Sequence, residues 1–160
     1  MAKKAVEVAK ELLFLAKESG SNLTNMQIQK LVYIAHGLHL AIQKEALLEE
    51  PVRAWKHGPV IPDVYRAYKQ YLNSNIDLEK EVKGRPILTD AERESVKITF
   101  DNFSKFSGWQ LREITHIKGS PWHKVWFDGN GNETYNAVID DRIIAEHYNK
   151  ILTTKVVDAL

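Results

Sequence analysis

The stretch that decides the fold is residues 24–42, TNMQIQKLVYIAHGLHLAI. Its apolar side chains recur every three or four residues, which is the spacing of one face of an α-helix. These side chains are Ile28, Leu31, Val32, Ala35, Leu38 and Ile42. Thr24 and Gln27 have the spacing of a capping box, in which each side chain satisfies a free backbone N–H at the helix start. The stretch therefore predicts a long helix with a wide apolar stripe.

Caps, prolines and apolar spacing predict further helices on both sides of this stretch. They are expected over residues 3–19, from Pro62, from Thr89, from Ser107, over residues 121–127 and from Asp140. In the first of them, the charged side chains are predicted to lie on the outer side, namely Lys3, Lys10, Glu11, Lys17 and Glu18. Residues 73–88 are polar and broken by glycine and proline, which favours a surface loop that can end in a short strand.

Two short segments have the character of strands. Residues 52–56 contain Val and Trp and alternate between sides, and residues 137–139 are a short apolar run. Gly58-Pro59 is typical of a turn. We therefore expect a mostly α fold, a compact single-domain helical bundle over residues 1–160, with about six helices and a small antiparallel β element.

Composition and charge disfavour several functions. The 160 residues include 22 Lys and Arg against 21 Asp and Glu, a formal charge of +1, and no basic stripe that would neutralise phosphates is visible. We therefore do not expect this protein to bind nucleic acid. The chain has no cysteine, which excludes disulfides and thiolate sites. The N-terminus lacks the uninterrupted apolar region of a signal peptide, and no run is long enough to span a membrane, so we expect a cytoplasmic protein without a membrane partner.

Neither a metal site nor a cofactor is predicted. His36 and His39 lie three residues apart, but no acidic residue stands at a supporting step, so polar or half-buried histidines are expected. Residues 128–132, DGNGN, begin like a calcium loop, but the sixth position is Glu133 where glycine is required. A glycine-rich turn is the better interpretation.

His116 is the best candidate for acid–base chemistry, since histidine titrates near neutrality. Catalysis would also require a nucleophile and an orienting partner, and neither can be assigned from the sequence. We expect His116 to bond to a loop backbone and to hold the turn at residues 120–122. A small hydrolase that uses His116 remains an alternative.

Aromatic residues are the remaining functional signal. Residues 55–59, WKHGP, are compatible with a partner-binding surface or with a tryptophan in the core followed by a turn that directs the next helix. A further set of aromatic residues cannot all be core, and Tyr68 and Tyr71 have polar neighbours. The set is Tyr65, Tyr68, Tyr71, Trp109, Trp122 and Trp126. A surface patch of such residues suits a protein partner.

Three stretches, in this order, resemble one family. They are residues 23–37 (LTNMQIQKLVYIAHG), 51–65 (PVRAWKHGPVIPDVY) and 111–122 (LREITHIKGSPW). Together they are similar to the Panacea domain, also called the SocA-like antitoxin domain, and to the related phage-associated GepA proteins. The resemblance covers most of the chain.

The resemblance implies an antitoxin of a toxin–antitoxin system, often encoded in bacteria or their phages, and not an enzyme. Such a protein neutralises a toxin encoded by the adjacent gene by direct contact, and some members deliver the toxin to a protease. The candidate partner-binding or family-motif residues are Lys30, Tyr33, Trp55, Lys56, His57, Gly58, Pro59, Tyr65, Thr115, His116, Pro121 and Trp122. Alternatives are a proteolysis adaptor of mobile-element origin, or a DNA-binding regulator in which residues 24–42 act in a helix-turn-helix.

Overall fold

The computed structural model describes the backbone of residues 1–159 and the side chains of residues 1–154. Its α-helices are α1 (Ala5–Ser19), α2 (Asn25–Gln43), α3 (Pro62–Tyr68), α4 (Leu78–Glu81), α5 (Asp90–Phe103), α6 (Gly108–His116), α7 (Pro121–His123) and α8 (Asp141–Ala159). The strands are β1 (Val52–Trp55), β2 (Gly58–Val60) and β3 (Ala137–Ile139), and they form an antiparallel sheet in the order β2-β1-β3. The predicted mostly α fold with a small antiparallel sheet is confirmed.

Helix α2 lies at the centre of the bundle. Its capping box is formed, since Gln27 N–H donates to Thr24 Oγ1 at 3.3 Å and Thr24 N–H donates to Gln27 Oε1 at 2.8 Å. Every residue from Ile28 to Ala41 is buried because α1, α5, α6 and α8 pack around the helix. Burial of most of α2 disfavours the helix-turn-helix interpretation, since a recognition helix must reach into a DNA groove.

His36 and His39 are more buried than the sequence predicts. His36 Nε2 lies 2.9 Å from Asp141 Oδ1, and His39 Nδ1 lies 2.8 Å from Ser95 Oγ. These partners come from distant segments, so spacing along the chain could not reveal them. Within residues 1–154, no group of three or more His, Cys, Asp or Glu side chains is placed to hold a metal ion.

The turn of the β1–β2 hairpin does not lie at Gly58-Pro59, where the sequence predicts it. Both residues belong to β2, where Gly58 pairs with Trp55 and Pro59 pairs with Ala54, so the chain reverses at Lys56 and His57. A proline is tolerated at this place because β2 is an edge strand, in which a missing N–H costs no ladder hydrogen bond.

Two further predictions need correction. The segment 73–88 does lie mostly on the surface, but it contains the one-turn helix α4, which begins where Asp77 Oδ1 accepts a hydrogen bond of 3.2 Å from the N–H of Lys80, and it does not end in a strand. Glu11 is buried, since both of its carboxylate oxygens accept hydrogen bonds from Arg85.

Tyr68 is buried, at 1% exposure, despite its polar neighbours in the sequence. Other members of the aromatic set do lie on the surface, where Trp109 is 63% and Tyr65 is 39% exposed. The prediction that these aromatic residues cannot all be core is therefore confirmed. Among the helices of the described chain, none is both long and apolar enough to cross a bilayer.

A candidate partner-binding cleft

A cleft of about 990 Å³ opens beside the β1–β2 hairpin. Its walls come from the first turns of α2, the hairpin, the end of α3 and the loop before β3. The residues that line it include Asn25, Met26, Gln29, Lys30, residues 54–58, Val60, Tyr65, Lys69, Leu72, Asn73, Trp126 and residues 132–136. Segments far apart in the sequence thus build one concave surface.

Lys30 forms part of the cleft floor and is only 4% exposed. Its ammonium donates hydrogen bonds to the carbonyl oxygens of His57 at 3.0 Å and Pro59 at 3.1 Å. Burial, and secondly the positive charge of Arg112, lower the pKa of Lys30 to about 7. Lys30 therefore links α2 to the hairpin through two hydrogen bonds and places a titratable amine at the floor of the cleft.

Gly58 lies between Lys30 and His116. Its φ of +118° belongs to a backbone region that side chains disfavour. A Cβ at this position would come within 2.8 Å of Lys30 Nζ and 2.7 Å of His116 Cε1. Glycine is thus required here both by the backbone conformation and by the close approach of two side chains.

Trp55 forms a half-buried wall of the cleft, held at both ends. Its indole N–H donates to Asn136 Oδ1 at 2.7 Å, and its carbonyl accepts a hydrogen bond of 2.6 Å from the indole of Trp122. Its ring meets that of Tyr65 edge to face, with the centroids 5.5 Å apart. Both interpretations of Trp55 therefore have support, since it packs against protein and also faces the cleft.

The twelve candidate residues fall into three groups. Six line the cleft, namely Lys30, Trp55, Lys56, His57, Gly58 and Tyr65. Pro59, His116 and Trp122 lie directly behind them, through the contacts with Lys30, Gly58 and Trp55. Tyr33, Thr115 and Pro121 are buried in the fold and do not line the cleft. A role in partner binding stays a prediction for all twelve.

His116 has two backbone partners, one of them in the expected kind of place. Its Nδ1 lies 2.8 Å from the carbonyl of Arg112 in its own helix, and the ring also interacts with the backbone of Lys56 in the hairpin turn. Its ring packs on Trp122 with a centroid distance of 3.8 Å, which does support the turn at residues 120–122. Burial lowers the pKa of His116, which favours the neutral form of the ring. The geometry is that of a packing residue.

Sequence reasoning missed the outer rim of the cleft. Tyr135 is 95% and Leu72 is 78% exposed, and both line the opening. Leu72 and Asn136 have positive φ values of 52° and 61°, which hold the rim in uncommon backbone conformations. The asparagines around Tyr135 could have indicated these conformations, since Asn tolerates a positive φ. No feature of the sequence near Leu72 predicts its position at the rim.

The charges that line the cleft are mainly positive. The lining includes three lysines, Lys30, Lys56 and Lys69, and one acidic residue, Glu133. Slight burial and then the charges of Arg112, Lys56 and Lys30 lower the pKa of His57. Aromatic walls with a cationic floor are therefore the defining chemistry of this surface.

Fold and cleft define a helical domain with one concave surface beside its hairpin, and comparison with known proteins places it in a family. The "antitoxin SocA-like, Panacea domain" family matches residues 28–123, which run from the first turn of α2 through the hairpin to the end of α7. This is more than half of the chain, so the chain belongs to that family, and the resemblance found in the sequence is confirmed. Antitoxin SocA of Caulobacter vibrioides (strain NA1000 / CB15N) is 27% identical over 150 residues, covering 88% of this chain and 80% of the relative. No solved structure matches the chain significantly.

Proposed function

We propose that this protein is a cytoplasmic antitoxin that neutralises a protein toxin by direct binding and performs no chemistry of its own. The toxin is the product of the adjacent gene. Membership of the SocA-like antitoxin family supports the antitoxin role. The observation that carries the binding surface is the cleft beside the hairpin.

The rim of this cleft has the composition of a protein interface. Tyr135, Leu72 and Tyr65 are 95%, 78% and 39% exposed around one concave opening. Large apolar side chains left in water beside a pocket are typical of surfaces that a partner covers. Aromatic residues are also enriched among those that contribute most to binding energy. The partner is therefore expected to insert a segment into the cleft.

Co-expression tests the proposal. The product of the adjacent gene is placed under an inducible promoter, alone and together with this protein, and growth is followed. We expect growth arrest in the first case, rescue in the second and a complex that co-purifies. An adjacent product that is not toxic, or toxicity that persists beside a soluble antitoxin, would overturn the proposal.

Immunoblotting of the same cultures distinguishes two modes of neutralisation. If binding alone neutralises the toxin, as we propose, its level stays constant during rescue and the complex accumulates. A fall in the toxin level that depends on a cellular protease would instead identify delivery to that protease.

A further inference from the structure

The geometry of the cleft floor points to a carboxylate on the partner. We propose that the toxin segment entering the cleft carries an Asp or Glu side chain, and that this carboxylate pairs with the ammonium of Lys30. The inference rests on the proposed function, since it names the chemistry of the segment that the antitoxin binds.

Lys30 is a buried amine whose pKa of about 7 lets it lose its proton near neutrality, and no acidic side chain among the described residues pairs with it. Two of its three N–H groups donate to the carbonyls of His57 and Pro59, which leaves one donor. The ion pairs found among the described residues all involve other cations. A buried charge is costly unless an opposite charge compensates it. A carboxylate in the cleft would supply that compensation.

The surroundings of Lys30 add positive charge. The charged neighbour that lowers its pKa is Arg112, which is also a cation. Lys56 and Lys69 line the same cleft. Glu133 is the one acidic residue in the described lining. An anionic group that entered would therefore meet a cationic floor below it and cationic side chains around it.

A neighbouring acceptor favours a peptide carboxylate over a phosphate. Gln29 lines the cleft, and its buried Oε1 has no hydrogen-bond partner in the described part of the chain. A peptide segment brings N–H donors as well as a carboxylate, so it can satisfy both Gln29 and Lys30. A phosphate brings mostly acceptors, so it could pair with the lysines of the cleft but would leave the Gln29 Oε1 acceptor without a donor. The expected motif is an acidic residue between apolar ones.

A matched pair of peptides tests this inference on the wild-type protein. Acetyl-Leu-Glu-Leu-amide and acetyl-Leu-Gln-Leu-amide differ in one charge, and inorganic phosphate serves as the competing anion. The readouts are the ¹³Cε resonance of Lys30 during a pH titration, assigned with Lys30→Arg, and the Gly58 amide signal. We expect the acidic peptide to shift Gly58, to bind at least about tenfold tighter than the neutral one, and to raise the apparent pKa of Lys30, because an opposite charge favours the protonated amine.

Three outcomes would overturn it. These are equal affinities for the two peptides, a Lys30 titration that the acidic peptide leaves unchanged, and phosphate that shifts Gly58 and Lys30 as strongly as the acidic peptide does. A structural role for Lys30 alone would leave its titration insensitive to the charge of the peptide.

The complex itself provides the second measurement. With the toxin, Lys30→Met is expected to weaken binding by about tenfold or more, whereas Lys97→Met, on the exposed side of α5, leaves binding unchanged. The indole signal of Trp55, whose hydrogen bond to Asn136 does not involve Lys30, verifies at its wild-type position that the hairpin of Lys30→Met is intact. Toxicity that wild-type protein cannot rescue refutes the proposed function, whereas rescue and tight binding by both lysine variants refute the inference alone.

Discussion

The indole nitrogen of Trp122 lies 2.6 Å from the carbonyl oxygen of Trp55, and this hydrogen bond joins residues 67 positions apart in the chain. It fixes the end of β1 against α7. The side chain of Trp55, held at its other end by Asn136, then forms a wall of the cleft. Packing behind the cleft thus determines the position of a residue that faces the cleft.

Removing this hydrogen bond is expected to destabilise the protein. Trp122→Phe keeps an aromatic ring but loses the indole donor, so the carbonyl of Trp55 is left without it. We expect the free energy of unfolding to fall by about 2 kcal/mol, measured by urea denaturation. Trp109→Phe is the control, since Trp109 is 63% exposed, and it should change stability by less than about 0.5 kcal/mol. Equal effects of the two substitutions would contradict the account.

Stability is expected to decrease as the pH falls from 7 to 5.5. Burial lowers the pKa of His39 and of His116 below the value of about 6.5 that an unfolded chain has. Between the folded and unfolded values the unfolded chain binds more protons, so acid favours unfolding, and the stability is at its full value above about 6.5.

His39→Gln isolates the contribution of one histidine to this pH dependence. Glutamine can still bond to Ser95 Oγ but cannot take up a proton, so the urea midpoint should vary less with pH than in the wild type. An unchanged pH dependence in His39→Gln would show that protonation of His39 does not limit stability.

Gly37 allows α8 to approach α2 closely. A Cβ at this position would overlap the ring of Tyr148, so Gly37→Ala should reduce stability by about 2 kcal/mol despite the better helix propensity of alanine. In a Tyr148→Leu background, which removes the ring, the same substitution should be neutral or stabilising. A loss of the same size in both backgrounds would exclude the steric explanation.

The ion pair between Arg85 and Glu11 is expected to stabilise the fold. Glu11 is 1% exposed, and Arg85 donates to it at 3.0 Å and 2.6 Å. Arg85→Met should lower the free energy of unfolding by about 2 kcal/mol. This is less than the loss expected for a fully buried ion pair, because Arg85 is partly exposed. Arg66→Met breaks the exposed ion pair with Asp63 and should lower the free energy of unfolding by less than about 0.5 kcal/mol. A similar loss of stability for both substitutions would contradict this prediction.

Local signals predicted the helices well and long-range contacts poorly. Thr24 and Gln27 could be recognised as a capping box because all of its hydrogen bonds are local. Burial of Glu11 depends on Arg85, 74 residues away, and no helical period contains that information. The same limit applies to the cleft. Its hairpin residues were found by their motif, whereas Leu72 and Tyr135 become neighbours of the hairpin only through the tertiary fold.

The affinity between this protein and the purified product of the adjacent gene tests the central claim, that the cleft is the binding surface. Isothermal titration calorimetry would compare Tyr135→Ser, at the cleft rim, with Ile87→Ser, which is 89% exposed and outside the cleft lining. We predict that Tyr135→Ser weakens binding by about tenfold or more and that Ile87→Ser leaves it unchanged. Wild-type affinity for Tyr135→Ser together with a loss of binding for Ile87→Ser would contradict the claim.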